Sequence, residues 1–148
     1  MSLKNRIQED VKNAMRARDK ARLAALRMVT AAIKQKEVDE RIELDETAVL
    51  AVLDKMSKQR RESLEQFEQA GREDLANQER FELELLRDYL PEPLAEDQLS
   101  ALIAQAITDT GASSMRDMGN VMGHLRAQVQ GRADMKAVSN TVRASLSG

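Results

Sequence analysis

One histidine, no cysteine and two glycines four residues apart bound the chemistry open to this chain of 148 residues. A zinc site takes about four nitrogen, sulfur or carboxylate ligands, and His124 has neither a second histidine nor a thiol to share one. Glu62, Glu65 and Glu68 could hold Mg²⁺, but their spacing is that of an ordinary helix surface. Met115, Met118 and Met122 read as flexible core fillers and not as soft-metal ligands. No glycine-rich phosphate loop follows a strand, and no serine stands in a legible arrangement with a base. The expectation is a chain with no catalytic residue, no metal and no cofactor of its own.

What remains is close approach and positive charge. The stretch DMGNVMGHLRAQVQGRAD, Asp117 to Asp134, holds Gly119, Gly123 and Gly131, half of the 6 glycines. A glycine inside a helix costs about 0.5–1 kcal/mol relative to alanine, so two in one helix call for a reason. On a wheel of about 100° per residue, Met118, Val121, Met122, Leu125 and Val129 fill one sector of about 100°. Gly123 falls about 140° from its centre and Gly119 about 100°, on the side shared by Arg116, Asn120, Arg126 and Ala127. Such a pair bares a groove where another backbone can come close. Two occupants are open: the first or seventh helix of the same chain, or an external partner steadied by the arginines.

The elements that carry these residues are all helical. Residues are 42% hydrophobic, 32% charged and only 2% aromatic, and the β-branched and aromatic runs that mark strands are missing. Leu3, Ile7, Val11, Ala14 and Met15 stripe a first helix to about Arg18. Leu23, Leu26, Thr30 and Ile33 stripe a second from about Lys20 to Val38. Asp45 reads as the N-cap of a third, lined by Val49, Val52, Leu53, Met56, Leu64 and Phe67 and closed near Gly71. A fourth carries Leu75, Leu85, Leu86 and Tyr89. Then YLPEPL breaks the chain, because Pro91 and Pro93 lack an N–H and restrict the residues before them.

Three shorter helices follow. The fifth, with Leu99, Leu102, Ile103, Ala106 and Ile107, ends at Gly111. Ser114 and Asp117 form a capping-box variant that opens the sixth, Gly131 closes it, and Asp134 caps a seventh striped by Val138, Val142 and Leu146. The organisation expected is all-α: a four-helix N-terminal bundle over 1–90, a linker at 91–94, and a smaller three-helix domain over 95–148. A unit of about 55 residues buries a small core.

Net charge is −2 but unevenly spread. Residues 1–36 hold 10 Lys/Arg against 3 Asp/Glu, residues 37–93 hold 8 against 17, and residues 94–148 hold 5 against 5. Either basic and acidic helices neutralise each other side by side, or the N-terminal segment offers a basic face to RNA. No apolar run could span a membrane and no signal-peptide h-region opens the chain, so a soluble cytoplasmic protein with no membrane partner is expected.

DMGNVMGHLRAQVQGRADMKAVSNTVRASL resembles the C-terminal signature of the YqeY family, and the resemblance extends to the LRM of the second helix and to YLPEPL, covering essentially the whole chain. Its last 50 or so residues are also similar to the tail of GatB, the tRNA-binding subunit of the tRNA-dependent amidotransferase. The resemblance implies a two-part helical fold, a tRNA partner, and a link to amidation of mischarged Glu-tRNA(Gln) or Asp-tRNA(Asn). Glutamine-dependent carbon–nitrogen ligase activity attaches to the family through GatB, whose catalytic domain has no counterpart here. The family often has lysine where this chain has Asn120, Gln128 and Gln130, and each missing cation weakens a phosphate contact.

Two functions follow from these residues. In the first, an accessory module places Arg116, Arg126, Arg132, Lys136 and Arg143 on tRNA phosphates, with Gly119, Asn120 and Gly123 allowing close approach. In the second, the same groove docks a helix of a protein partner, such as an amidotransferase or an aminoacyl-tRNA synthetase. Phe67, Phe81 and Tyr89 all precede the linker, so the C-terminal part has no platform on which bases could stack.

Overall fold

Helix boundaries follow the capping residues closely in the computed structural model, which describes residues 2–147. The Ser2 hydroxyl accepts the Asn5 N–H at 3.1 Å and starts α1, Leu3–Arg16. The Asp19 carboxylate accepts the Arg22 N–H at 3.1 Å and starts α2, Lys20–Glu40. Asp45 does the same for α3, Glu46–Gln69, through the Ala48 N–H at 2.8 Å. Each such cap satisfies an N–H that has no partner inside its helix. Gly71, at φ +69°, lets the Arg72 N–H reach back to the Phe67 carbonyl at 2.9 Å, and α4, Glu73–Arg87, follows at once.

α3 and α4 form the most extensive helix pair, with α1 lying along α2. The first core gathers Ile7, Leu26, Val29, Val49, Leu53 and Leu86, all at 1% exposure or less. Two expected stripes are rotated from where simple periodicity puts them. Met15 is 52% exposed while Ala14 is buried, and on α2 the buried side centres on Leu26, Val29 and Ile33, leaving Leu23 and Thr30 at its edge. Met15 lies about 100° round the helix from Ala14, so with Leu3, Ile7 and Ala14 turned inward it falls outside the buried face.

One compact unit ends at Leu90 and a second begins at Pro91. The second holds α5, Glu96–Thr110, then a 3₁₀ turn, Met115–Asp117, then α6, Met118–Val129, and α7, Met135–Ser147. Gly111 and Gly131 take φ of +65° and +77° at the ends of α5 and α6, a region that L side chains enter only with strain. The second core is Ile103, Ala106, Val121, Leu125, Val129, Val138, Val142 and Leu146. Among the described residues the chain is all-α: seven helices and no strand, four in the first unit and three in the second.

Candidate functional site

α6 takes its orientation from Val121, Leu125 and Val129, spaced four apart and all fully buried. Met118 and Met122 flank them at the edge of the core. The opposite side is therefore turned outward, and Gly119, Asn120, Gly123, Arg126 and Ala127 are all exposed. A Cβ placed on either Gly119 or Gly123 would meet no atom within 4 Å. Among the described residues of the second unit no helix crosses at the glycines, so of the occupants open from the sequence, the seventh helix is not the one.

Asp117 sets the entry to this helix. Its Oδ2 accepts the N–H of Ser113 at 2.8 Å and of Ser114 at 3.1 Å. These two N–H donors hold the Asp117 carboxyl below its ordinary range. The capping arrangement opens a 3₁₀ turn and not the α-helix itself, so Arg116 lies in that turn, exposed, just ahead of α6.

The remaining cations are placed differently from one another. Arg132 is half-buried: its Nε donates to the Glu92 carbonyl at 3.0 Å, and its own carbonyl accepts the Leu94 N–H at 2.8 Å. It ties residues 92–94 to the turn between α6 and α7. Lys136 and Arg143 are exposed on α7, two helical turns apart, and Arg143 donates to the Asn140 Oδ1 at 3.4 Å. Gln130 is buried at 9% exposure, in line with the core and not with the outer face. His124, beside Gly123, meets Asp109 of α5 through Nε2 and Oδ2 at 3.3 Å, with both side chains about 40% exposed.

Chemically, the outward side of α6 and its approaches carry guanidinium groups and bare backbone. Such a surface can hold phosphates by charge while letting a ribose–phosphate chain or a peptide backbone come close. Glu62, Glu65 and Glu68 are exposed on α3, and Glu68 reaches Arg80 at 3.5 Å. Among the described residues no group of three His, Cys, Asp or Glu is gathered to hold a metal ion.

Two polar clusters of the first unit were not legible as such in the sequence. Arg60 Nε lies 2.6 Å from Glu82 and 3.7 Å from Glu79, all three largely buried. Burial first, and then the Glu82 charge, push the Glu79 carboxyl upward against the pull of Arg60. A signal existed: Arg60 and Glu82 stand at equal distances on either side of Gly71, the hinge of the α3–α4 hairpin. The other cluster joins Tyr89, buried, to the Asp10 carboxylate, with the Arg6 guanidinium 4.8 Å above the ring centre. Burial, and then Asp10, hold the Tyr89 phenol far above its ordinary pKa. Across α1 and α2, Lys4 pairs with Glu37 at 2.6 Å and Glu43 at 3.8 Å. Among the described cations before residue 37, it alone ion-pairs outside its own helix.

The helical architecture and the outward glycine face define a small helical family protein. Residues 4–146 match the family described as Yqey-like protein, and the chain belongs to that family. It is 30% identical over 141 residues to "Altered inheritance of mitochondria protein 41, mitochondrial" of Pyrenophora tritici-repentis, covering 93% of this chain and 77% of that protein. The protein of the same name from Kluyveromyces lactis is 32% identical over 142 residues, covering 94% and 73%. Its namesake from Eremothecium gossypii is 38% identical over 85 residues, or 57% and 46%. These relatives are named as mitochondrial proteins, which overturns the expectation of a cytoplasmic protein. That expectation rested on the lack of a membrane-spanning run, and hydropathy does not distinguish one aqueous compartment from another. Among the described residues no helix is long and apolar enough to cross a membrane.

Proposed function

We propose that this YqeY-family chain is a tRNA-binding accessory module, linked to tRNA-dependent amidation and without amide-transfer chemistry of its own. The observation that carries the reading is the open outer side of α6: Gly119 and Gly123 meet nothing within their own unit, Arg126 is exposed on that helix, and exposed Arg116 lies in the turn just ahead of it. Gly123, inside the helix, costs about 0.5–1 kcal/mol of helix propensity, and no contact within the second unit accounts for it. A phosphate backbone needs both features of this face, positive charge and room to approach. With no aromatic residue after Tyr89, recognition reads the shape and backbone of the tRNA, not its bases. The resemblance of the last 50 or so residues to the GatB tail supplies the link to amidation.

Titration of the full chain with bulk tRNA over a series of salt concentrations tests this. Arg116→Ala and Arg126→Ala should each weaken binding and each lower the salt slope by about one. Unchanged affinity and slope in the double variant would remove the basis for the reading.

A further inference from the structure

A second surface, in the first unit, is independent of α6. Between α1 and α2 runs an open groove of about 520 Å³. Ile7 and Ile33 lie buried beneath it, and Thr30 and Ala31 keep its α2 wall low. Arg27 and Lys34 rise from the same side of α2, exposed and seven residues apart, which is about 10.5 Å along the axis. Lys4, at the far end, is already neutralised by Glu37. Hydrogen bonding from Lys4, and then from the Leu44 N–H, holds the Glu37 carboxyl below its ordinary range. Lys34 adds to that field, yet among the described residues neither Lys34 nor Arg27 makes an ion pair. The groove thus combines a low wall of small side chains with two exposed cations, two helical turns apart, that are held in no ion pair.

We propose that this groove docks an acidic amphipathic helix of a partner protein. Two carboxylates seven residues apart on such a helix lie on one face at the same rise, and so meet Arg27 and Lys34 together. Small apolar side chains between them rest over Thr30 and Ala31. RNA suits the groove less well. No aromatic residue lines it, so an unpaired base would find nothing to stack on.

A labelled, alanine-rich helical peptide with two glutamates seven residues apart, titrated into the full chain by fluorescence anisotropy, tests the proposal. The chain should bind it, and R27E/K34E should weaken binding about tenfold or more. The same peptide with lysines in place of the glutamates should bind R27E/K34E better than the parent chain, which also shows that the variant is folded. Failure of the parent chain to bind the glutamate peptide, or equal binding of both peptides, overturns the proposal. So does a result in which R27E/K34E weakens bulk tRNA binding and leaves the peptide unaffected, which would assign these cations to RNA. Loss of self-association in R27E/K34E without any peptide binding would name a second copy as the occupant, and also overturns it.

Discussion

Arg132 and Glu92 are joined side chain to backbone: the guanidinium Nε donates to the Glu92 carbonyl at 3.0 Å, while the Arg132 carbonyl receives the Leu94 N–H at 2.8 Å. The proline-bearing segment is thereby fastened to the turn that Gly131 makes possible. Proline can offer no N–H of its own, so these two bonds, together with the packing of Leu94 on the second core, hold residues 91–94 in place within the second unit. Arg132 keeps further N–H groups for an external anion, but its first role in the fold is positional.

Arg132→Ala should therefore destabilise the second unit by about 1 kcal/mol, the worth of one charge-assisted bond at a half-exposed site. A drop in Tm of several degrees, read by thermal melting, is the expected result. Arg126→Ala, which removes no such bond, should leave the Tm unchanged. Equal melting of the Arg132 variant and the parent would show that the Glu92 contact contributes nothing.

Gly123→Ala should stabilise the chain by about 0.5–1 kcal/mol, because a Cβ there meets no atom within 4 Å and the helix gains propensity. Gly123→Leu should likewise fold and melt no lower than the parent, yet bind tRNA at least severalfold more weakly as its side chain fills the face. Destabilisation of about 1–3 kcal/mol in the leucine variant, the range typical of overpacking, would mean that the face is occupied from within the chain.

Two carboxylates should give opposite pH dependences. Glu37 has a lowered pKa, chiefly through its bond from Lys4. Its folded value lies below the unfolded one, so its contribution is present above the ordinary value of 4.5 and is lost as pH falls through the folded value. Glu79 has a raised pKa, chiefly through burial. Its folded value lies above the unfolded one, so its contribution is present below 4.5 and is lost as pH rises through the folded value. Against the parent, Glu37→Gln should thus melt progressively lower as pH rises from acid to neutral, and Glu79→Gln progressively higher. Parallel Tm profiles for both variants and the parent would refute both assignments.

Limited proteolysis should cut first between Asp88 and Ala95 and release α5–α7 as a resistant fragment. The motive is the division of the chain at Leu90 and Pro91 into units with separate cores. The first cuts, located by mass spectrometry, would contradict a separable second unit if they fell inside α5 or α6.

The local features of this fold were legible because their causes are local. Asp19, Asp45 and Asp134 cap from within three residues of the N–H groups they accept. Gly71, Gly111 and Gly131 end helices through their own backbone freedom. The outward position of Gly119 and Gly123 follows from a fixed turn per residue counted from Val121, Leu125 and Val129. What tertiary structure decided is which residues meet across helices. Asp10 finds Tyr89 across 79 positions, and His124 finds Asp109. Arg132, equivalent to Arg126 by composition, is drawn into a backbone contact instead of standing free. Periodicity gives each helix a face, but the axial offset and rotation at which two faces meet come from side-chain packing. On α1 the face that turned inward is that of Leu3, Ile7 and Ala14, which leaves Met15 outside the core. Only packing, likewise, could leave the glycine face of α6 uncovered within its own unit, since the same spacing would equally admit a crossing helix.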